Sequence, residues 1–259
     1  MFKNIFKKDK QVMTETIEME DVAVSEPITL PISDYAQRNA QEDVDEIEVH
    51  QEEIVFPNLD TEPEAEQNII DQIDPNYLFN APEIVGWASE EEQTLLFAML
   101  SSFYRPENSI LDVGCGRADL LGFLQHHFPA APIEYKGIDY NPNILNIATQ
   151  KYPGVVVEAA DLLSLDEGAD YDWVVGSGLF NLNDNSNMSE YTQECIDKMY
   201  EKSKIGVAFN LNTGKADDND TNLVSWNPVD WLGFLISKYG KVICRADYLD
   251  TDVTFFIFK

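Results

Sequence analysis

The sequence has three cysteines in 259 residues, Cys115, Cys195 and Cys244, and no two of them lie close together. That spacing excludes a disulfide framework and a cysteine-based metal cluster, and it makes a reducing compartment the expectation. Histidine is as scarce: His50 stands far from the other two, and His126 and His127 precede Phe128-Pro129. That position suits charges that compensate a helix dipole better than catalytic bases. No Ser-His-Asp order, no metal-ligand spacing and no phosphate-binding P-loop occurs, so no metal is expected. No apolar run approaches the length of a membrane span, and no signal-type apolar region follows the N-terminal lysines; a soluble, cytoplasmic protein is expected. Basic residues are few, 17 against 47 acids, for a net charge of −30. Nucleic acid is therefore an unlikely partner, because that binding needs basic surface to displace counterions.

The charge is unevenly spread. Residues 1–10 hold four lysines against Asp9, whereas residues 11–75 hold 19 acids and a single base, Arg38. Residues 76–259 hold 27 acids and 12 bases. The stretch 11–75 has almost no aromatic residues and no sustained apolar period, too little to offset chain entropy on folding. Residues 1–75 thus read as a disordered acidic N-terminal segment, either a solvating leader or a binding segment for a protein partner. Phe2, Ile5 and Phe6 near one helical face opposite lysines suggest a short docking or membrane-surface helix, marginal at that length.

From residue 76 onward, apolar runs alternate with helical periodicity, the mark of an α/β fold with a mostly parallel sheet. Ser89 caps a helix with Glu90, Glu91 and Glu92 in its first turn, and Leu95, Leu96, Met99 and Leu100 are its expected buried face. Strands are expected at 109–113, 133–138, 155–158, 173–176, 205–211, 242–246 and 253–258. Helices are expected at 119–127, 142–151, 189–202 and 227–239, the last closed by Gly240.

The most informative stretch is Ser109-Ile-Leu-Asp-Val-Gly-Cys-Gly-Arg-Ala-Asp119, followed by a second apolar run ending at Asp139. Gly114 and Gly116 permit a tight turn and a close approach by a ligand, and the turn feeds a helix N-terminus. The acid at the end of the second strand can accept hydrogen bonds from ribose hydroxyls. A dinucleotide fingerprint would need glycine at position 119, where the chain has Asp119; a carboxylate there would repel a pyrophosphate.

The stretch resembles instead the first motif of class I S-adenosylmethionine-dependent methyltransferases, Asp/Glu-x-Gly-x-Gly. Asp112, Gly114 and Gly116 match it, and Ala118 stands where a third glycine is usual. The resemblance covers residues 76–259 and implies a Rossmann-like, seven-stranded, mostly parallel sheet with an antiparallel last strand. It implies S-adenosylmethionine as cofactor, a cation without phosphate. Carried onto this chain, it puts Gly114 and Gly116 beneath the methionine half, with Asp112 acting through the loop. Asp139 would hold the ribose hydroxyls, and Tyr140 would offer a face to adenine. Asp161 would meet the adenine amino group, with Leu162 on the ring; otherwise Asp161 is a turn cap.

The segment Ile84-Val-Gly-Trp-Ala-Ser-Glu-Glu-Glu-Gln93 resembles a Gly-Trp-x-Ser-x-x-x-Gln pattern of a poorly characterised bacterial or phage-type branch. Trp87, Ser89 and Gln93 then become cofactor contacts, against the plainer reading of a helix cap and a packing tryptophan. Gly176-Ser-Gly-Leu-Phe-Asn181 should line the transfer site, with Ser177, Asn181, Asn183 and Asn210 as candidates to orient the acceptor or simply to satisfy strand-end backbone. The Asn/Asp-Pro-Pro-Tyr/Phe motif of exocyclic-amine methylation and the Pro-Cys nucleophile of cytosine methylation are absent. The acceptor expected is a small molecule, a sugar or glycan, or a protein. The competing reading is a non-catalytic cofactor-binding protein with a partner-recruiting acidic tail.

Overall fold

A computed structural model describes residues 74–166, 168, 170–181, 187–214 and 223–259. The expectations for the acidic N-terminal segment, and the candidate Asn183, lie outside the described residues.

Within them, the alternating apolar runs form one seven-stranded sheet: β1 (Ile110–Val113), β2 (Tyr135–Asp139), β3 (Val157–Ala159), β4 (Tyr171–Gly176), β5 (Ser203–Asn212), β6 (Val242–Arg245) and β7 (Asp252–Phe258). The strand order is β3-β2-β1-β4-β5-β7-β6. The first five strands are parallel, and β7 runs antiparallel to both β5 and β6. Fold class and antiparallel last strand therefore follow the sequence reading. β2 begins at Tyr135 rather than Ile133, and β3 is shifted to Val157–Ala159.

Among the described residues, α1 (Pro75–Asn80) and α2 (Glu90–Leu100) precede the sheet, and α3 (Asp119–His127), α4 (Pro142–Lys151), α5 (Met188–Lys202) and α6 (Pro228–Tyr239) connect its strands. Their starts are chemically marked. Ser89 Oγ accepts from the Glu92 amide at 3.2 Å. Asn141 and Asn227 cap α4 and α6, each followed by proline at the first helical position, where the missing N–H costs nothing. α1 and a 3-10 turn over Pro82–Val85 were not signalled by periodicity, being too short to show one. α2 buries Gln93, Leu96, Phe97 and Leu100, so Leu95, expected on the buried face, is instead 37 % exposed, and Met99 is only partly buried.

The central strands are largely apolar because both faces are covered. Leu111, Val113, Val174 and Phe209 pack against Ile196 and Met199 of α5 and Leu235 of α6. Ile110, Trp173, Val175 and Phe256 pack on the opposite side against Leu96 and Phe97 of α2 and Leu120 and Leu124 of α3. No helix among the described residues is long and apolar enough to cross a membrane.

Candidate active site

The chain runs outward from β1 through β2 to β3, then returns to place β4 on the other side of β1. That reversal opens a crevice beyond the carboxyl ends of β1 and β4, where ligands of open α/β sheets bind. Two turns form its rims: residues 114–118 after β1 and residues 177–181 after β4.

The first turn needs its glycines. Gly114 and Gly116 have φ of +68° and +51°, and a β-carbon on Gly116 would lie 3.2 Å from Val85 Cγ1. Ala118 takes φ +59° at the cap of α3, the single non-glycine residue with positive φ among the described ones. Asp139, at the end of β2, ties the turn down: its Oδ2 accepts from the Gly116 amide at 3.0 Å and its Oδ1 from the Asn141 amide at 2.9 Å. Burial raises the Asp139 carboxyl, while these amide bonds pull the other way. Tyr140 beside it is 66 % exposed.

Asp112 is set deeper. Its residue is 2 % exposed, and its Oδ2 accepts from the Tyr135 hydroxyl at 2.7 Å. Desolvation pushes the carboxyl up to about 7, the Tyr135 bond opposing and the charges of Asp139 and Asp119 adding. Cys115 is buried close by, and a β-carbon on Gly137 would meet its Sγ at 2.6 Å. Burial pushes that thiol upward, away from nucleophilic use.

Asp119 does not act as the sequence suggested. Its Oδ2 is 2.7 Å from Arg117 Nη2 and its Oδ1 is 2.6 Å from Lys151 Nζ. The carboxylate is therefore neutralised internally and presents no charge that would repel a pyrophosphate. Charge at position 119 therefore does not disfavour a dinucleotide. Arg117, 1 % exposed, also donates to the carbonyls of Leu78 at 2.9 Å and Ala81 at 2.7 Å, and Lys151 donates to that of Phe79. Gln93 Nε2 joins the same knot through Asp119 at 3.3 Å. The segment carrying α1 is thus fastened over the first turn by the buried Arg117 and the partly buried Lys151.

The second rim carries Ser177 and Asn181. Ser177 Oγ and Asn181 Oδ1 are buried without a hydrogen-bond partner among the described residues. Trp87 reaches this rim: a β-carbon on Gly178 would lie 3.2 Å from its Cζ2. Asn210 is completely buried and supports the turn from behind, its Oδ1 accepting from the Gly178 amide at 2.7 Å. Its Nδ2 donates to Asp252, the first residue of β7. Asp252 escaped the sequence reading. The antiparallel last strand could have found it, since that topology brings the start of β7 to the carboxyl end of β5.

Asp161 and Leu162 lie beyond β3. Asp161 Oδ1 accepts from the Leu163 amide at 3.0 Å and caps the 3-10 turn Leu162–Ser164. Leu162 is 5 % exposed and packs into the core. Ser89 caps α2 as described above. The structure thus gathers Asp112, Gly114, Gly116, Asp139 and Tyr140 around the first turn, and Trp87, Ser177 and Asn181 around the second; Gln93 and Asn210 serve as supports.

The family model of a methyltransferase domain matches residues 110–200, from the start of β1 into α5. No curated protein matches the chain. Among solved structures, a Nostoc punctiforme protein provisionally assigned as an O-methyltransferase is 13 % identical with a TM-score of 0.50, covering 70 % of this chain and 61 % of its own. An amino pentose methyltransferase of calicheamicin biosynthesis from Micromonospora echinaspora is 15 % identical with a TM-score of 0.49, covering 70 % of this chain and 96 % of its own. Magnesium protoporphyrin IX methyltransferase from Synechocystis, with bound S-adenosylhomocysteine, is 13 % identical with a TM-score of 0.49, covering 74 % and 99 %. At such identities the likeness is one of fold. The match to a methyltransferase domain thus spans the glycine turn, Asp139 and the second rim.

Proposed function

We propose that residues 76–259 form a catalytic unit that moves the methyl group of S-adenosylmethionine to an acceptor held at the carboxyl ends of β4 and β5. The observation that carries this reading is Asp139, which clamps the Gly116 and Asn141 amides at the mouth of the crevice. A carboxylate has more acceptor positions than these two bonds use, so it can still receive a ribose hydroxyl. The exposed Tyr140 ring offers adenine a face. Asp161 has Oδ1 committed to its own turn, which leaves Oδ2 for the adenine amino group. Gly114 and Gly116 let the methionine half approach the backbone. Asp112 acts through the loop, as its burial requires. Gln93 acts at one remove, through Asp119, whereas Trp87 closes the crevice from the α2 side.

S-Adenosylmethionine supplies a methyl group already activated on a sulfonium, so the chain has mainly to orient an acceptor and relieve it of a proton. Ser177 Oγ and Asn181 Oδ1, buried and unpartnered among the described residues, are the groups proposed to hold that acceptor. The acceptor class is a small molecule, a sugar or a protein side chain.

Calorimetry of the full chain with S-adenosylmethionine and S-adenosylhomocysteine tests the cofactor reading, and absence of affinity for both overturns it. Gly116→Val should bind S-adenosylhomocysteine at least about tenfold more weakly, because the backbone resists φ +51° and the side chain strikes Val85. A radiolabelled-methyl screen on fractionated lysate then identifies the acceptor. Binding without turnover on any fraction would favour the non-catalytic alternative.

A further inference from the structure

Asn210 has no freedom left in its side chain. It is fully buried, its Oδ1 accepts from the Gly178 amide at 2.7 Å, and its Nδ2 donates to Asp252 Oδ1. An ionised carboxylate only accepts, so it compels the Asn210 NH2 group toward itself and the carbonyl oxygen toward Gly178. Reversing that amide would set NH2 against N–H at Gly178 and leave two donors facing each other. Gly178 has φ +68° and lies against Trp87, and it directly follows Ser177. A shift of this one amide therefore moves the acceptor rim and its contact with the α2 side.

We propose that Asp252 is a positioning residue for methyl transfer: through Asn210 it fixes the Ser177-Gly178 turn, and it does so fully only when ionised. The proposal rests on the methyl-transfer reading above and extends it to a residue outside the crevice lining.

The geometry around Asp252 makes its ionisation consequential. The residue is 8 % exposed, and it faces Asn212 across the β5–β7 pair. Among the described residues no lysine or arginine is ion-paired with it. Burial raises its carboxyl to about 6; the Asn210 and Thr251 bonds lower it and the Glu92 charge on α2 raises it further. On the side of the 246–251 connection stands the Tyr248 hydroxyl, itself pushed upward partly by the Asp252 charge. A protonated Asp252 can donate as well as accept, so it no longer compels one orientation of the Asn210 amide and leaves the Gly178 bond to hold it alone.

The test uses the full chain, Asp252→Asn and Asp252→Ala. An asparagine at this position does not titrate and, like the protonated acid, can donate as well as accept. In the wild type, the Gly178 amide and Asn210 NH2 resonances should move together with a midpoint near 6. Asp252→Asn should abolish that titration and leave the Gly178 amide near its low-pH position at every pH, whereas Asp252→Ala should displace it throughout. With tritiated S-adenosylmethionine and an active lysate fraction, Asp252→Ala should lose about tenfold or more in kcat while S-adenosylhomocysteine affinity stays within about twofold. Asp252→Asn should hold kcat near the wild type's low-pH level and flatten the pH profile between about pH 5 and about pH 8. If alanine unfolds the chain, the asparagine variant carries the test alone. A wild-type Gly178 amide indifferent to pH, or a kcat in Asp252→Asn equal to that of the wild type at about pH 8, overturns the relay. Failure of the wild type to bind S-adenosylhomocysteine overturns the methyl-transfer reading, and the resonances still decide the relay.

Discussion

Asp112 sits in an environment that costs the fold. It is 2 % exposed, has one hydroxyl partner, and its carboxyl is raised to about 7. The sign follows from linkage. A carboxyl whose pKa is higher in the folded than in the unfolded chain favours folding while protonated in both states, and that advantage is lost as pH rises through the folded value. Stability should thus decline between about pH 4 and about pH 7 from this group. Asp112→Asn keeps an acceptor for Tyr135 and removes the buried charge. Urea unfolding of the ligand-free variant should show a gain on the order of 2–4 kcal/mol at pH 8, vanishing below about pH 4. Equal gains at both pH values would mean the charge is not the cause. Ala118 shows the opposite economy. A β-carbon in the left-handed region costs about 1–2 kcal/mol, and burying a methyl group returns about 0.8 kcal/mol, so alanine there is close to tolerable and a third glycine is not required.

At the scale of elements, the attachment of α1 rests on Arg117. Its guanidinium meets Asp119 and the carbonyls of Leu78 and Ala81, while Lys151 independently reaches Asp119 and Phe79. Arg117→Met keeps the aliphatic stem and leaves Asp119 its lysine, so no buried charge is stranded. The loss should be about 2–3 kcal/mol, below that for breaking a buried pair outright. It should appear locally, as faster amide exchange over residues 78–87 with the central strands unchanged. Uniform loss of protection across the sheet would contradict the latch. The same element shows what a sequence can disclose. The glycine turn, the capped α2 and α4, and the strand alternation were readable because each depends on contacts within a few positions. Arg117 was not, since its partners lie 36 to 39 residues upstream and only the folded chain reveals that the cation is buried. Asp252 hid for the same reason, 42 residues from Asn210. Leu95 misled because helical spacing fixes a face only to within a turn's edge, and Phe97 took the core position instead.

At the scale of the whole molecule, a net charge of −30 sets a field that any ligand crosses. S-Adenosylmethionine carries one positive charge more than S-adenosylhomocysteine, the sulfonium, and the two are otherwise nearly the same shape. Their affinity difference therefore isolates electrostatics from packing. Asp112 and Asp139 lie at or beneath the glycine turn, and Asp119 is cancelled by Arg117 and Lys151. Above about pH 8 Asp112 is ionised, so both remaining carboxylates favour the cation. Raising salt shortens the Debye length from about 30 Å at 0.01 M to about 8 Å at 0.15 M and weakens the contribution of every exposed acid. Calorimetry across that range should thus show S-adenosylmethionine affinity falling a fewfold while that of S-adenosylhomocysteine stays nearly constant. Parallel salt slopes for the two would mean the acidic field does not reach the crevice, and that only the short-range contacts of the two rims discriminate between them.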